Sequence, residues 1–153
     1  MADKRTKTDF IVVHCSATPA KMDVDAKEID RWHKERGFLR IGYHYVIRRD
    51  GTREKGRDIN DVGAHVTGFN HKSVGICLVG GMDERNAEPE DNFTAEQIIT
   101  LHITLTELRA DYPAAKIVGH RELDQAKACP SFDVQDWLTG FPQLKSPVTG
   151  GIA

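Results

Sequence analysis

The sequence lacks two features that would place the protein in a membrane or on nucleic acid: long apolar runs and an excess of basic residues. No apolar run approaches the roughly 18–20 residues that cross a bilayer, so we expect no membrane insertion. The 21 lysines and arginines are outnumbered by 23 aspartates and glutamates, which gives a formal net charge of −2. Because a phosphate backbone attracts a basic surface, we expect no nucleic-acid partner.

Cysteine is also scarce, since the 153 residues include only Cys15, Cys77 and Cys129. An odd number of cysteines in a chain long enough to form an apolar core argues against a disulfide framework. The thiols are therefore candidates for packing, metal binding or catalysis. The length suits one domain, because a second core would leave each half near the limit of stability.

A signal peptide is missing as well, because no apolar segment of the required length follows the charged residues 1–10. We therefore expect a soluble chain that is made in the cytoplasm. The sequence predicts a flexible segment over residues 1–8, one catalytic domain over residues 9–141, and a tail containing proline and glycine over residues 142–153.

Three apolar segments predict buried strands. Two of them, residues 10–13 and 116–119, are each followed by a histidine, His14 and His120. The third, residues 74–79, is apolar almost throughout, as in a strand that is covered on both faces. We expect this third strand to be central in the sheet.

Helix signals alternate with these strands. Capping-box spacing marks two helix starts, Asp25 with Glu28 and Thr94 with Gln97. Strands that alternate with helices predict an α/β fold. We expect a single domain with a mixed, mainly parallel β-sheet flanked by helices.

Three residues would form a metal site if the fold brought them together. His14 and His120 follow predicted strands, where ligand sites collect in α/β sheets, and Cys129 lies in a polar loop with no obvious core to fill. Two imidazoles and a thiolate are a zinc ligand set that leaves a fourth position open. The alternative is that backbone groups satisfy both histidines. Spacing alone does not decide, because the sequence contains no HExxH helix and no CxxC pair.

Short motifs with chemically informative residues run along most of the chain. They lie at residues 11–18, 32–37, 41–47, 49–51, 56–57, 63–65, 70, 74–80, 119–120 and 127–133. In content and order they resemble the motifs of the zinc-dependent N-acetylmuramoyl-L-alanine amidases, with small single-domain phage endolysins, traditionally called phage lysozymes, as the most similar group. The resemblance implies the fold that these enzymes share with peptidoglycan recognition proteins.

The same resemblance implies roles for individual residues. The zinc ligands of the family fall on His14, His120 and Cys129. The tyrosine of its Gly-Tyr-His motif falls on Tyr43, and the catalytic lysine of its Lys-x-Cys-Pro motif falls on Lys127. Beside zinc, the tyrosine could orient a water molecule or move a proton, and the lysine could stabilise a developing oxyanion. Without the neighbouring cysteine, the lysine would be interpreted as a solvated surface residue.

Further polar residues lie near the expected cleft. His65 and Asn70 are candidate substrate-binding residues that would hydrogen-bond glycan or stem peptide, and the alternative is ordinary loop structure. His33 is predicted to pack on the apolar side of a helix. His44 follows Tyr43 on a strand and should point to the opposite face.

The function that the resemblance implies is that of a peptidoglycan hydrolase. The enzyme would use zinc to cleave the amide bond between N-acetylmuramic acid and the L-alanine of the stem peptide, and so lyse the bacterial cell wall. One alternative is a module that binds peptidoglycan without cleaving it; loss of the cysteine ligand would favour that, and Cys129 is present. Another is a metal-free thiol hydrolase built on Cys15 or Cys129.

Expectations about partners and location follow from the same resemblance. We expect a monomer whose partner is peptidoglycan. Some phage enzymes of this type also bind and restrain the RNA polymerase of their phage, and the polar residues 2–9 resemble a flexible surface for such a contact. Without a signal peptide, the protein would remain in the host cytoplasm and act on the wall after the membrane is permeabilised.

Overall fold

The structure is a computed structural model that describes residues 3–145 and residue 147. Its strands are β1 (Phe10–Cys15), β2 (Thr18–Pro19), β3 (Tyr45–Ile47), β4 (Arg53–Lys55), β5 (Ser73–Leu78), β6 (Gly81–Met82) and β7 (Lys116–Gly119). Its helices are α1 (Ala26–Glu35), α2 (Ala95–Asp111), α3 (His120–Leu123), α4 (Val134–Leu138) and α5 (Pro142–Lys145). Within the described residues, no helix combines the length and the apolar character that a membrane span requires.

The main sheet mixes parallel and antiparallel pairs. Among the described residues it has five strands in the order β4-β3-β5-β1-β7, and β2 pairs separately with β6. β1 runs parallel to both β5 and β7, and β3 runs parallel to β5. The β3–β4 hairpin is antiparallel. The predicted α/β fold, a single domain with a mixed, mainly parallel sheet, is therefore confirmed.

Helices cover both faces of this sheet. On one face, α2, α4 and α5 pack against alternate residues of β1 and β5, such as Val13 and Ile76. On the other face, α1 packs through Ile29 against Val46 and Cys77. β5 lies between β3 and β1 and is buried at every position, as its apolar sequence predicted.

The capping residues predicted from the sequence do start the helices. The side chain of Asp25 accepts a hydrogen bond from the Glu28 N–H at 2.9 Å. Thr94 and Gln97 form a reciprocal capping box, with both nitrogen–oxygen distances at 3.0 Å. These bonds satisfy amide groups that a helix start leaves without partners.

Gln97 also ties α2 to the sheet. Its side chain is fully buried, and its Nε2 donates to the carbonyl oxygens of Ile47 at 3.1 Å and Val79 at 2.9 Å. These carbonyls lie at the ends of neighbouring strands. One amide group therefore joins the helix cap to two strand ends.

The domain continues past residue 141, where the sequence predicted that a tail begins. Leu144 in α5 is 4% exposed and packs in the main core. Its carbonyl oxygen accepts a hydrogen bond from Arg109 Nη2 at 2.6 Å. Residues 142–145 are therefore part of the packed domain, because burying the leucine stabilises the fold. Residues 146 and 148–153 of the predicted tail lie outside the described residues.

The described part of the amino-terminal segment, residues 3–8, lies against the loop that follows β4. The Arg5 N–H donates to the Asn60 carbonyl at 2.7 Å, and the Lys4 ammonium pairs with Asp61 at 2.5 Å. The predicted boundary between this segment and the domain is thus bridged by hydrogen bonds. Its flexibility stays a prediction.

Replacement of Gln97 by alanine should destabilise the fold, because two buried hydrogen bonds between the helix and the sheet are lost. We expect a loss of about 1–3 kcal/mol in the free energy of unfolding, since each such bond contributes on the order of 0.5–1.5 kcal/mol and both carbonyls keep a second donor. Urea unfolding followed by circular dichroism measures the change. Ile99→Ala on the same helix is the control: its side chain is 61% exposed, so the effect should stay within about 0.5 kcal/mol. Equal stability of the two variants would contradict this role of Gln97.

Candidate functional site

Parallel strands place two of the candidate histidines at one edge of the sheet. Val13 of β1 lies opposite Gly119 of β7, and His14 and His120 come next in the chain. The Nδ1 atoms of the two histidines are 3.1 Å apart, although 106 positions separate them in sequence. The pairing of the strands thus brings the two imidazoles together.

Cys129 completes the group. Its Sγ and one ring nitrogen from each of the two histidines lie within 4.8 Å of one another. The backbone N–H of Cys15 donates to this sulfur at 2.9 Å. The loop that carries Cys129 is closed by a hydrogen bond from the Arg121 N–H to the Cys129 carbonyl at 2.8 Å. The thiol is therefore held at the same strand edge by backbone contacts on both sides.

This donor set fits a zinc ion. Zinc binds imidazole nitrogen at about 2.0–2.1 Å and thiolate sulfur at about 2.3 Å in a tetrahedral arrangement, so its ligand atoms lie on the order of 3.5 Å apart. Burial lowers the pKa of His14 well below its usual value, which leaves a neutral ring with a free lone pair. Burial and the neighbouring Cys15 raise the pKa of the Cys129 thiol well above its usual value. A divalent cation would offset the cost of a buried thiolate there.

A cleft of about 490 Å³ opens beside the three residues, with His120 and Cys129 in its lining and His14 1% exposed beneath. Tyr43 and Lys127, both predicted as catalytic, also line this cleft. The ring centroid of Tyr43 is 5.0 Å from that of His14. Burial raises the pKa of Tyr43 well above its usual value, so its hydroxyl keeps the proton at neutral pH.

His65 and Asn70 line the cleft too, and both side chains also make polar contacts within the protein. The Oδ1 atom of Asn70 accepts hydrogen bonds from the N–H groups of His65 and Val66, both at 2.9 Å. His65 Nδ1 lies 2.8 Å from His14 Nε2, and His65 Nε2 lies 3.2 Å from the Ser73 hydroxyl oxygen. Substrate binding by His65 and Asn70 stays a prediction. The contacts show that the Asn70 side chain holds the backbone of residues 65 and 66 in place.

Two other histidines lie near the cleft. His33 is buried on α1, as the sequence predicted, and its Nδ1 accepts the Gly42 N–H at 2.9 Å, but the residue also lines the cleft. Tyr43 and His44 precede β3 and do not belong to the strand that the sequence predicted for them. His44 accepts the Gly75 N–H at 3.0 Å and donates to the Asp61 carbonyl at 2.8 Å. Burial lowers the pKa of each of these two rings to about 4, so both act as neutral packing groups.

Sequence reasoning missed Arg36, Phe38 and Asp124, which also line the cleft. The guanidinium carbon of Arg36 lies 5.1 Å from the centroid of the Phe38 ring, within range of a cation–π contact. Arg36 comes three residues after His33 on the same helix face, so the helical spacing was an available signal. Asp124 lies in an irregular turn, where spacing carries no such signal.

Comparisons with known proteins agree on one family. The model of the N-acetylmuramoyl-L-alanine amidase family matches residues 4–132. The endolysin of Enterobacteria phage K11 is 55% identical over 135 residues, which cover 88% of each chain. An endolysin N-acetylmuramoyl-L-alanine amidase from Clostridium intestinale URNW superimposes with a TM-score of 0.79 at 28% identity, over 93% of this chain and 88% of that one.

A structure of Drosophila PGRP-LB, solved as a variant in complex with tracheal cytotoxin, is also similar. Its TM-score is 0.73 at 25% identity, over 94% of this chain and 87% of that one. The fold, the order of the motifs and the family match therefore lead to one assignment. The resemblance inferred from the motifs is confirmed, and the chain belongs to the N-acetylmuramoyl-L-alanine amidase family.

Proposed function

We propose that the protein is a zinc-dependent endolysin that hydrolyses the amide bond between N-acetylmuramic acid and the L-alanine of the peptidoglycan stem peptide. The observation that carries the proposal is the convergence of His14, His120 and Cys129 at the cleft of a chain in the amidase family. A zinc ion held by these residues supplies Lewis-acid polarisation of the scissile carbonyl and acidification of the attacking water.

Tyr43 and Lys127 act on the substrate from the cleft wall. The Tyr43 hydroxyl, which burial keeps protonated, is suited to orient a reactant by donating a hydrogen bond. Lys127 is an exposed residue of the cleft lining, two residues before Cys129, and its ammonium group is suited to stabilise the negative charge that develops on the carbonyl oxygen. Both groups therefore favour the transition state of amide hydrolysis.

The composition of the cleft wall supports amide rather than glycoside hydrolysis. Glycosidases of the common type need two carboxyl groups that flank the scissile bond. Among the described residues that line the cleft, Asp124 is the single carboxylate. The described residues at the cleft therefore offer a metal ligand set and two cationic side chains, Arg36 and Lys127, but lack the paired acids of a glycosidase.

The alternatives account for the site less well. A module that only binds peptidoglycan does not require Cys129 beside the two histidines. A thiol hydrolase needs an accessible thiolate, whereas the Cys15 thiol is buried and burial raises the pKa of the Cys129 thiol. Three further proposals rest on the family resemblance. The protein is a monomer that binds peptidoglycan, it acts on the wall after the membrane is permeabilised, and it binds a phage RNA polymerase.

Cys129→Ala should abolish zinc retention and amidase activity together, because two imidazoles alone hold zinc weakly. Zinc content of the purified protein and turnover of purified peptidoglycan are measured side by side. Chelation of the wild type should remove activity, and added zinc should restore it. Stoichiometric zinc and full turnover in the variant would show that the ligand assignment is wrong.

Cys15→Ala is the matched control for this prediction. The backbone N–H of Cys15 donates to the Cys129 sulfur at 2.9 Å, and alanine keeps that group. The thiol of Cys15 faces Ser131, with 3.9 Å between Sγ and Oγ. This variant should therefore retain zinc and activity and lose stability at most. A thiol hydrolase built on Cys15 would instead lose activity here.

Tyr43→Phe and Lys127→Ala should each lower kcat by about 10²–10³ and leave zinc content intact, because they act on the transition state and not on the metal. Steady-state kinetics with a soluble muropeptide measure the change. Tyr45→Phe and Lys116→Ala are controls: Tyr45 packs against the main core, and Lys116 is exposed on β7. Near-normal kcat in both test variants would remove these residues from the catalytic machinery.

The products of digestion decide which bond is cut. An amidase frees stem peptides with an amino-terminal L-alanine, whereas a glycosidase creates new reducing ends on the sugar chain. We expect free alanine amines without new reducing ends when purified peptidoglycan is digested and analysed by mass spectrometry. The opposite pattern would overturn the proposed function and would require a pair of carboxylates.

A further inference from the structure

His65 lines the cleft and also contacts His14, one of the proposed metal ligands. Its Nδ1 lies 2.8 Å from Nε2 of His14, on the side of that ring opposite to the nitrogen that faces His120. The two rings are nearly perpendicular, with an interplanar angle of 84°. On the far side, Nε2 of His65 lies 3.2 Å from the hydroxyl oxygen of the fully buried Ser73. A chain of three polar side chains thus runs from the metal centre into the core.

The position of each proton in this chain follows from the geometry. A neutral imidazole carries one N–H. If Nδ1 of His14 is to bind a metal, its proton must lie on Nε2 and be donated to Nδ1 of His65. The proton of His65 then lies on Nε2, and the Ser73 hydroxyl accepts it.

The reverse arrangement would block the metal site. A proton on Nδ1 of His65 would be donated to Nε2 of His14 and would move the His14 proton to Nδ1. That atom lies 3.1 Å from Nδ1 of His120, between the two proposed ligands. Only the first arrangement therefore leaves the ligand nitrogen of His14 free.

The His65 ring is held in a slot that glycine creates. A Cβ atom at Gly75 of β5 would lie 2.7–2.8 Å from atoms of the ring, and one at Gly63 would lie 2.7 Å from its Cδ2. These distances are shorter than carbon–carbon contacts allow. Asn70 holds the backbone of His65 from the other side. The ring is thus fixed in the orientation that meets His14.

We propose that His65 is a positioning residue that accepts the Nε2–H of His14 and so leaves Nδ1 of His14 free to bind the metal. This inference rests on the zinc centre proposed above. Histidine ligands commonly donate their second N–H to a neighbouring acceptor, and loss of that acceptor typically weakens metal binding 10–100-fold. Here the acceptor is a neutral histidine, whose own proton is satisfied by the hydroxyl group of Ser73.

The test compares zinc affinity in two variants, measured by competition with a chromophoric chelator. His65→Leu removes the acceptor and should weaken zinc binding about 10–100-fold. His65→Asn places an oxygen near the position of Nδ1 and should restore most of the affinity. Thermal unfolding of the metal-free proteins shows whether each variant folds. Equal weakening in both variants would overturn the acceptor role, as would wild-type affinity in folded His65→Leu.

His44→Leu is the matched control. His44 is also buried, and its ring centroid is 5.8 Å from that of His65, but its two nitrogens bond the backbone of Gly75 and Asp61. This variant should lower the unfolding temperature and leave zinc affinity near that of the wild type. If it weakened zinc binding as much as His65→Leu does, a loosened core would explain both effects and the inference would fail.

The proton positions can also be measured in the wild-type protein, so this test does not depend on the folding of a variant. Nitrogen-15 spectra of the histidine rings in the zinc-loaded protein should show His14 protonated at Nε2 and His65 protonated at Nε2 with a bare Nδ1. A proton on Nδ1 of His65 would overturn the inference. A wild-type protein that binds no zinc would overturn the metal centre and this inference together, whereas unchanged affinity in folded His65→Leu overturns the inference alone.

Discussion

The in-register parallel pairing of β1 with β5 and β7 is the constraint on which the site depends. Parallel strands that start together also end together, so the residues after Val13 and Gly119 meet at one edge. Side chains alternate along a strand, and a slip of one residue would turn His14 toward the main core. The same alternation that buries Val13 on one face therefore directs His14 toward the cleft on the other.

Rigid elements hold the proposed ligands, and less regular segments carry the residues that we propose act on substrate. His14 belongs to β1 and His120 begins α3, while the backbone of Cys15 fixes the sulfur of Cys129. Tyr43 precedes β3, and Lys127 lies in the exposed loop before Cys129. A metal site gains from ligands whose positions are fixed before binding. Catalytic groups on the wall of an open cleft remain accessible to a large polymer such as peptidoglycan.

Close backbone approach makes this arrangement possible. A Cβ atom at Gly42 would collide with the carbonyl oxygen of Ala64, and the glycines beside His65 make room for its ring. The motifs that indicated the family contain several of these glycines. Their physical role is to let the loop that carries His65 lie directly on the end of the sheet, where the imidazole reaches His14.

Local patterns in the sequence predicted the main strands and helices, and the family resemblance named candidate residues for the site, whereas the spatial arrangement of those residues required the tertiary structure. The capping pair Thr94 and Gln97 and the apolar run of β5 act through neighbours in the chain, so the sequence alone predicts them. The burial of Leu144 in the core and the contact between the His14 and His65 rings both depend on segments that are distant in the chain. The two histidines are 51 positions apart, and no local period encodes such a separation. Periodicity reports which face of an element is apolar, but only the pairing and packing of elements decide which polar side chains meet.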